Sequence, residues 1–429
     1  MSKKEETKKE ETKKEETKQE ETKKEEKKEE TKKQDLVTPY EIKAVSETGI
    51  DYDKLVDRFG ASMINEEMIE KLTEIATKKG IKLHHWIRRG LYFCHHDLHR
   101  IIIDYEQGKP FFLYTGRGPS GQMHLGHLVS FILTKHFQDI FGCAVVVQMT
   151  DDEKYLWNRK FTQLQIHKFL MDNIKDIISV GFDPEKTFIF SDYQYIKEMY
   201  PNITKVQRAI TFSQVKGTFG FTNSNNIGQV AFPAIQIVPC FSSTFPKIFE
   251  NFPKSKSKKS RGFNCLIPCA IDQAPYFRQA REIAYRIKEK KPSLIYAKFF
   301  PALQGHKTKM SSSKQTTAIY LTDKPNQIKN KINKHAFSGG GRTKEEHEKF
   351  GADLTVDVPY AYLKVFLEDD ELLEEIRVKY GNGTMGTVQV KRTLIETLQK
   401  IVKKHQETKA QVTDETVKLF MTPRALKFD

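Results

Sequence analysis

Two histidines and a lysine, set among glycines and hydroxyls, are the residues of this chain best suited to handling phosphate. The histidines lie in Tyr-Thr-Gly-Arg-Gly-Pro-Ser-Gly-Gln-Met-His-Leu-Gly-His, from Tyr114 to His127. The lysine opens Lys-Met-Ser-Ser-Ser, from Lys309 to Ser313. Imidazole and ammonium groups donate charge-assisted hydrogen bonds to phosphate oxygens. Glycines let backbone N–H groups approach the same oxygens closely. Together, in this order, the two segments imply a grip on ATP from two sides. No GxxxxGK[ST] occurs, so a P-loop is excluded.

Such groups need a rigid frame. The apolar run Phe111–Tyr114 predicts a strand that enters the glycine-rich turn. Gln122–Phe141 then predicts a helix ended by Gly142. Cys143–Met149 is apolar except for Gln148, the pattern of a buried strand. Phe161–Val180 predicts a helix stopped at Gly181, and Thr187–Phe190 and Cys265–Ile271 predict further strands. Strands alternating with helices imply an α/β fold, a Rossmann-like parallel sheet with its site at the strand carboxyl ends. Upstream, Ile64–Ala76 has helical spacing between a cap at Asn65 and a stop at Gly80. Beyond Ser338-Gly-Gly-Gly-Arg342, Leu363–Tyr380 and Val388–His405 have helical spacing too, which predicts a C-terminal helical domain.

Composition sets the outer limits. Residues 1–34 are a near-repeat of Thr-Lys-Lys-Glu-Glu with 13 lysines and 12 glutamates, and read as a disordered charged tail. Of the formal net charge of +15, all but one unit therefore lies on residues 35–429, which favours a polyanionic partner such as nucleic acid. A Lys/Ser-rich stretch between Pro253 and Gly262 reads as an exposed basic insertion. The five cysteines (Cys94, Cys143, Cys240, Cys265 and Cys269) suit free thiols in a reducing compartment. Cys265 and Cys269 lack a second pair or a histidine cluster, so no protein metal site is expected. No run reaches transmembrane length and no secretory leader opens the chain, so a cytoplasmic, membrane-free location is expected.

Gly116-Arg117-Gly118-Pro119-Ser120-Gly121 also satisfies the dinucleotide fingerprint GxGxxG. That alternative, an NAD-binding oxidoreductase, is weakened at three points. Pro119 removes a backbone donor from the turn. The strand that should end in the ribose-binding acid ends late, at Thr150-Asp151-Asp152. His124 and His127 continue the polar pattern at i,i+3, where a nicotinamide site does not need them.

His124-Leu125-Gly126-His127 resembles the HIGH signature of class I aminoacyl-tRNA synthetases, and Lys309–Ser313 resembles their KMSKS signature. Ser312 or Ser313 stands where the second lysine is expected. Val147–Trp157, Cys269-Ala-Ile-Asp-Gln273, Gly49–Lys54, Phe232–Gln236, Phe299–Gln304 and Met421–Arg424 are similar to segments of the eukaryotic and archaeal cytoplasmic tryptophanyl-tRNA synthetases. The resemblance runs from about residue 37 to the end. It implies four regions: the tail, 1–34; an N-terminal extension, 35–105, packing on the catalytic domain; the Rossmann-like catalytic domain, 106–320; and a helical anticodon-binding domain with its C-terminal tail, 321–429.

The resemblance further implies a two-step ligase reaction: L-tryptophan and ATP give tryptophanyl-adenylate and pyrophosphate, and the acyl group then passes to tRNA(Trp). His124, His127 and Lys309 would stabilise charge in the transition state. Arg117, Gly118, Gly126, Lys154, Asp272, Met310, Ser311, Ser312 and Ser313 would hold ATP. Mg2+ would travel with ATP rather than sit in a protein cage. Tyr114 and Gln148 would accept the indole N–H, with Glu153, Gln236 and Gln273 around the substrate ammonium and carboxylate. Asp357 and its neighbours are candidates for anticodon contacts. A homodimer is implied, and the tyrosyl enzyme is the nearest alternative within the class.

Overall fold

The computed structural model describes residues 35–40, 42–46, 49–253, 262–310 and 315–427. The charged tail, the basic residues Lys254–Arg261 and Ser311–Ser313 lie outside the described residues. So does the side chain of Lys309. Strands are β1 (Leu36–Val37), β2 (Ile42–Lys43), β3 (Ser62–Met63), β4 (Tyr92–His96), β5 (Phe111–Arg117), β6 (Ala144–Met149), β7 (Thr187–Ser191), β8 (Asn264–Ala270), β9 (Ser293–Ala297), β10 (Pro301–Ala302) and β11 (Gly305–Lys309). Seven of them form one sheet in the order β3-β4-β9-β8-β5-β6-β7.

The strands from β9 through β7 are parallel, while β3 and β4 add an antiparallel edge. β6 and β7 extend the sheet on one side of β5, and β8 and β9 extend it on the other. The winding therefore reverses at β5, and crevices at such a reversal hold ligands in open α/β sheets. β6 is buried at every position, which explains why a nearly unbroken apolar run becomes a strand covered on both faces.

The N-terminal part contributes helices α1 (Tyr52–Phe59), α2 (Glu66–Lys78), α3 (His85–Arg88) and α4 (Leu98–Glu106). Asn65 caps α2 by accepting from the Met68 N–H at 3.0 Å, as its sequence position predicts. Around the sheet lie α5 (Leu125–Phe141), α6 (Asp151–Trp157), α7 (Gln163–Ile178), α8 (Asp192–Ala209), α9 (Phe212–Phe219), α10 (Ile227–Ile237) and α11 (Ala274–Ile283). α5 starts three residues later than its polar lead-in predicted and ends at Gly142, whose φ of 68° is the left-handed cap glycine favours.

The C-terminal part is α12 (Pro325–His335), α13 (Lys344–Phe350), α14 (Val358–Phe366), α15 (Asp370–Gly381), α16 (Thr387–Ala410) and α17 (Asp414–Met421). The single helix expected over Leu363–Tyr380 is two helices. Asp369 breaks it, because its carboxylate caps the new start by accepting from the Glu371 and Leu372 N–H groups at 3.0 Å each.

Asp357, a candidate for anticodon contacts, is fully buried and already engaged. It accepts from the Tyr360 N–H at 2.7 Å, the Gly339 N–H at 2.9 Å and the Tyr380 hydroxyl at 2.7 Å. It ties the glycine turn to α14 and α15, so it holds the domain together rather than reading bases. Asp357→Ala should lower unfolding stability by roughly 2–4 kcal/mol, since three buried donors lose a charged acceptor. The urea midpoint checks this; an unchanged midpoint would refute it.

Candidate active site

β5 runs straight into the site. Tyr114, Thr115, Gly116 and Arg117 occupy its carboxyl end. They open onto a cavity of about 310 Å³ at the sheet's winding reversal. Its walls include Gly118, His124, Gly126 and His127 from the turn and α5, and Glu153 and Lys154 from α6. Gln236, Asp272, Gln273 and Met310 close the remaining sides. Twelve of the residues the sequence put forward thus surround one space.

The two histidines act as a unit. His124 precedes α5 in an extended conformation, and the His127 Nδ1 accepts from its main-chain N–H at 3.2 Å. The rings stack with centroids 3.5 Å apart. Both therefore sit at the positive end of a helix, where a phosphate is favoured. Gly126 permits the stack: a Cβ there would come within 3.2 Å of the His124 ring and 3.5 Å of the Met310 sulfur. The Leu125 N–H donates to Ile319 O at 3.0 Å, which ties the helix start to the chain just past the Lys309 segment.

A cationic wall faces the histidines. Lys154 pairs with Glu153 at 3.0 Å, and a Cβ on Gly118 would overlap the Lys154 side chain at 2.0 Å. The lysine tip crosses the face of this glycine, so a side chain there would displace it. The Thr150 hydroxyl donates to Glu153 Oε2 at 2.9 Å. Burial draws the Arg117 guanidinium down to about 10, still charged near neutrality. Its Nε donates to Asn173 Oδ1 at 3.3 Å, and Asn173 donates in turn to Gly121 O at 2.9 Å. The glycine-rich turn is thereby anchored to α7. Lys298, just past β9, also lines the cavity and was missed in the sequence. Its place after a strand carboxyl end was the available signal.

The apolar end of the cavity is built differently. Tyr114 and Gln148 are both fully buried or nearly so. The Tyr114 hydroxyl lies 2.5 Å from Gln148 Oε1 and 3.0 Å from Gln236 O. It has one proton and two acceptors, so a proton directed to Gln236 O leaves Gln148 Oε1 able to accept another donor. Burial holds the Tyr114 phenol well above its usual range, so it stays neutral. Gln148 does not itself line the cavity; it stands behind Tyr114. Phe277 packs edge-on to Tyr114 at 5.8 Å and lines the same end.

Behind that end, the carboxyl oxygens of Asp151, Asp152 and Asp192 come within 4.8 Å of one another. Asp151 accepts from the Ser191 hydroxyl at 2.5 Å, and Asp152 from the Glu153 N–H at 2.7 Å. The cysteines are elsewhere: all five are buried and unbridged, as expected of free thiols.

The strand, the paired histidines at a helix start and the strand that ends at Lys309 carry the segments on which the HIGH and KMSKS resemblance rests. The family model for tRNA synthetases class I (W and Y) matches residues 106–403. The chain belongs to this family. A curated tryptophan–tRNA ligase, cytoplasmic, of Homo sapiens is 52% identical over 400 residues, covering 92% of this chain and 82% of that protein. Its counterpart in Dictyostelium discoideum is 50% identical over 397 residues, covering 92% and 97%. Among solved structures, the tryptophanyl-tRNA synthetase from Giardia lamblia matches with a TM-score of 0.83 at 43% identity, covering 88% of this chain and 97% of that one. Membership of a class I synthetase family removes the NAD-binding reading of Gly116–Gly121: in this fold the same turn leads into the histidine pair.

Proposed function

We infer that this protein is a tryptophan–tRNA ligase of the cytoplasm. It activates L-tryptophan with ATP and transfers the acyl group to tRNA(Trp). The observation that carries this is the joined cavity, with stacked His124 and His127 at one end and Tyr114, backed by Gln148, at the other. The near-full-length relatives named as cytoplasmic tryptophan–tRNA ligases support both the activity and the location.

The first step needs no nucleophilic side chain. The tryptophan carboxylate attacks the α-phosphate, and the protein positions the reactants and offsets charge. His124 and His127 donate to phosphate oxygens, joined by Lys154, Arg117 and Lys309. Asp272 and the main chain near Met310 hold the adenosine. Glu153, Gln236 and Gln273 bind the amino-acid ammonium and carboxylate, and Ser311, Ser312 and Ser313 help to hold ATP. Mg2+ arrives with ATP.

Amino-acid-dependent exchange of pyrophosphate into ATP tests this reading. Exchange with tryptophan and not tyrosine is expected; the reverse would make the protein the tyrosyl enzyme.

The protein acts as a homodimer. Tyr155 of α6, Tyr193 and Tyr200 of α8 and Ile227 of α10 are 44%, 46%, 59% and 83% exposed on three adjoining helices. A patch of that kind favours self-association. Sedimentation equilibrium should return twice the chain mass; a monomer across micromolar concentrations would refute it.

A further inference from the structure

Gln148 can accept from the Tyr114 hydroxyl, which lines the cavity, only if its oxygen, not its NH2, faces that hydroxyl. The chain around it decides which end points where. On the side away from Tyr114, the Gln148 Nε2 donates to Asp192 Oδ1 at 2.8 Å and to Ile235 O at 3.3 Å. Both partners are oxygen acceptors. A flipped amide would aim Oε1 at two acceptors and leave its NH2 toward the Tyr114 hydroxyl. In a fully buried site, unsatisfied polar atoms of this sort are costly.

We propose that Asp192 is a positioning residue for tryptophan selection, acting through Gln148 to keep its carbonyl oxygen turned toward the Tyr114 hydroxyl at the indole end of the cavity. This rests on the tryptophan-binding reading above.

Asp192 is placed for this by two elements. It is the first residue of α8, immediately after β7, beside Gln148 of β6. It is fully buried, and no N–H or O–H of a neighbouring group reaches its Oδ2. Asp152 lies within hydrogen-bond reach instead. Two buried carboxylates this close cannot both ionise cheaply. Burial, then the charge of Asp152, push the Asp192 carboxyl well above the usual range, while burial raises Asp152 only to about 6. Of the pair, Asp192 is thus the one that holds a shared proton: one oxygen accepts from Gln148, and the O–H donates to Asp152. Asparagine reproduces that pattern atom for atom, with Oδ1 accepting and Nδ2–H donating. Alanine reproduces neither half.

The test uses the full-length enzyme in tryptophan-dependent pyrophosphate exchange, with ATP saturating. Asp192→Ala should raise KM for tryptophan at least tenfold, leave kcat within threefold, and narrow the preference for tryptophan over phenylalanine. Asp192→Asn should keep all three near the starting protein. If Asp192→Ala does not fold, Asp192→Leu, which refills the space without an acceptor, should give the same shifts. An unchanged KM in the alanine or leucine variant, a loss confined to kcat, or an asparagine variant as impaired as alanine would each overturn the proposal. Absence of tryptophan-dependent exchange in the unaltered protein would instead overturn the functional reading, and the proposal with it.

Discussion

Gln148→Leu should cost this enzyme roughly 5- to 150-fold in kcat/KM for tryptophan, because a buried polar group at the indole end left without its partner loses about 1–3 kcal/mol. Leucine keeps the volume and the apolar wall, so the pocket still admits a flat ring. Phenylalanine, which offers no N–H, should be handled no worse than before. Selectivity therefore falls by nearly the whole loss in tryptophan. This is the general asymmetry of sites built to satisfy a polar group: they reject the analogue lacking it because their own polar atoms go unpaired. Exchange measured with both amino acids checks the result. An unchanged ratio would show that Gln148 is a core residue and that selection lies elsewhere, for example with Gln236, whose Nε2 reaches the Tyr114 hydroxyl at 3.2 Å.

How far Gln148 could be read from sequence marks the boundary of such reading. It stood out as a lone polar residue in an apolar strand, and β6 is indeed buried throughout. The sheet's central strands were legible for the same reason: β5, β6, β7 and β8 are continuous apolar runs bounded by turn residues. β4 was not, because Tyr-Phe-Cys-His-His hides its period behind two histidines that bond to neighbours. The α14–α15 break was missed because Asp369 looks like any surface acid until its cap is seen. Asp192 carried no local signal. Its meaning comes from Gln148 and Asp152, each about forty positions away, which strand order brings to one point. Short-range spacing finds phosphate groups on one helix start; it does not find a partner supplied by another strand.

Lys309 is the opposite case, a residue strongly marked in sequence whose surroundings the fold still constrains. Its main chain ends β11, paired with Pro301 of β10. The next residue, Met310, donates its N–H to Phe300 O at 2.8 Å, and its side chain is buried in the cavity wall against Gly126. The strand thus brings the Lys309 main chain to the position before Met310, whose sulfur lies against Gly126 of the histidine segment. Charge that grows on the departing pyrophosphate is where an ammonium donor acts, so its contribution belongs to the transition state and not to tryptophan binding. Lys309→Ala should accordingly raise the barrier by roughly 2–4 kcal/mol, a loss of about 30- to 900-fold in kcat. KM for tryptophan should stay within about threefold, since the indole end lies across the cavity. Lys309→Arg should recover only part of the rate, because a planar guanidinium does not replace a compact point charge. Steady-state exchange kinetics at varied tryptophan separates the two parameters. A normal kcat in the alanine variant would remove Lys309 from the reaction and leave charge stabilisation to the histidines, Arg117 and Lys154. A rise in KM with kcat intact would make it a binding residue instead.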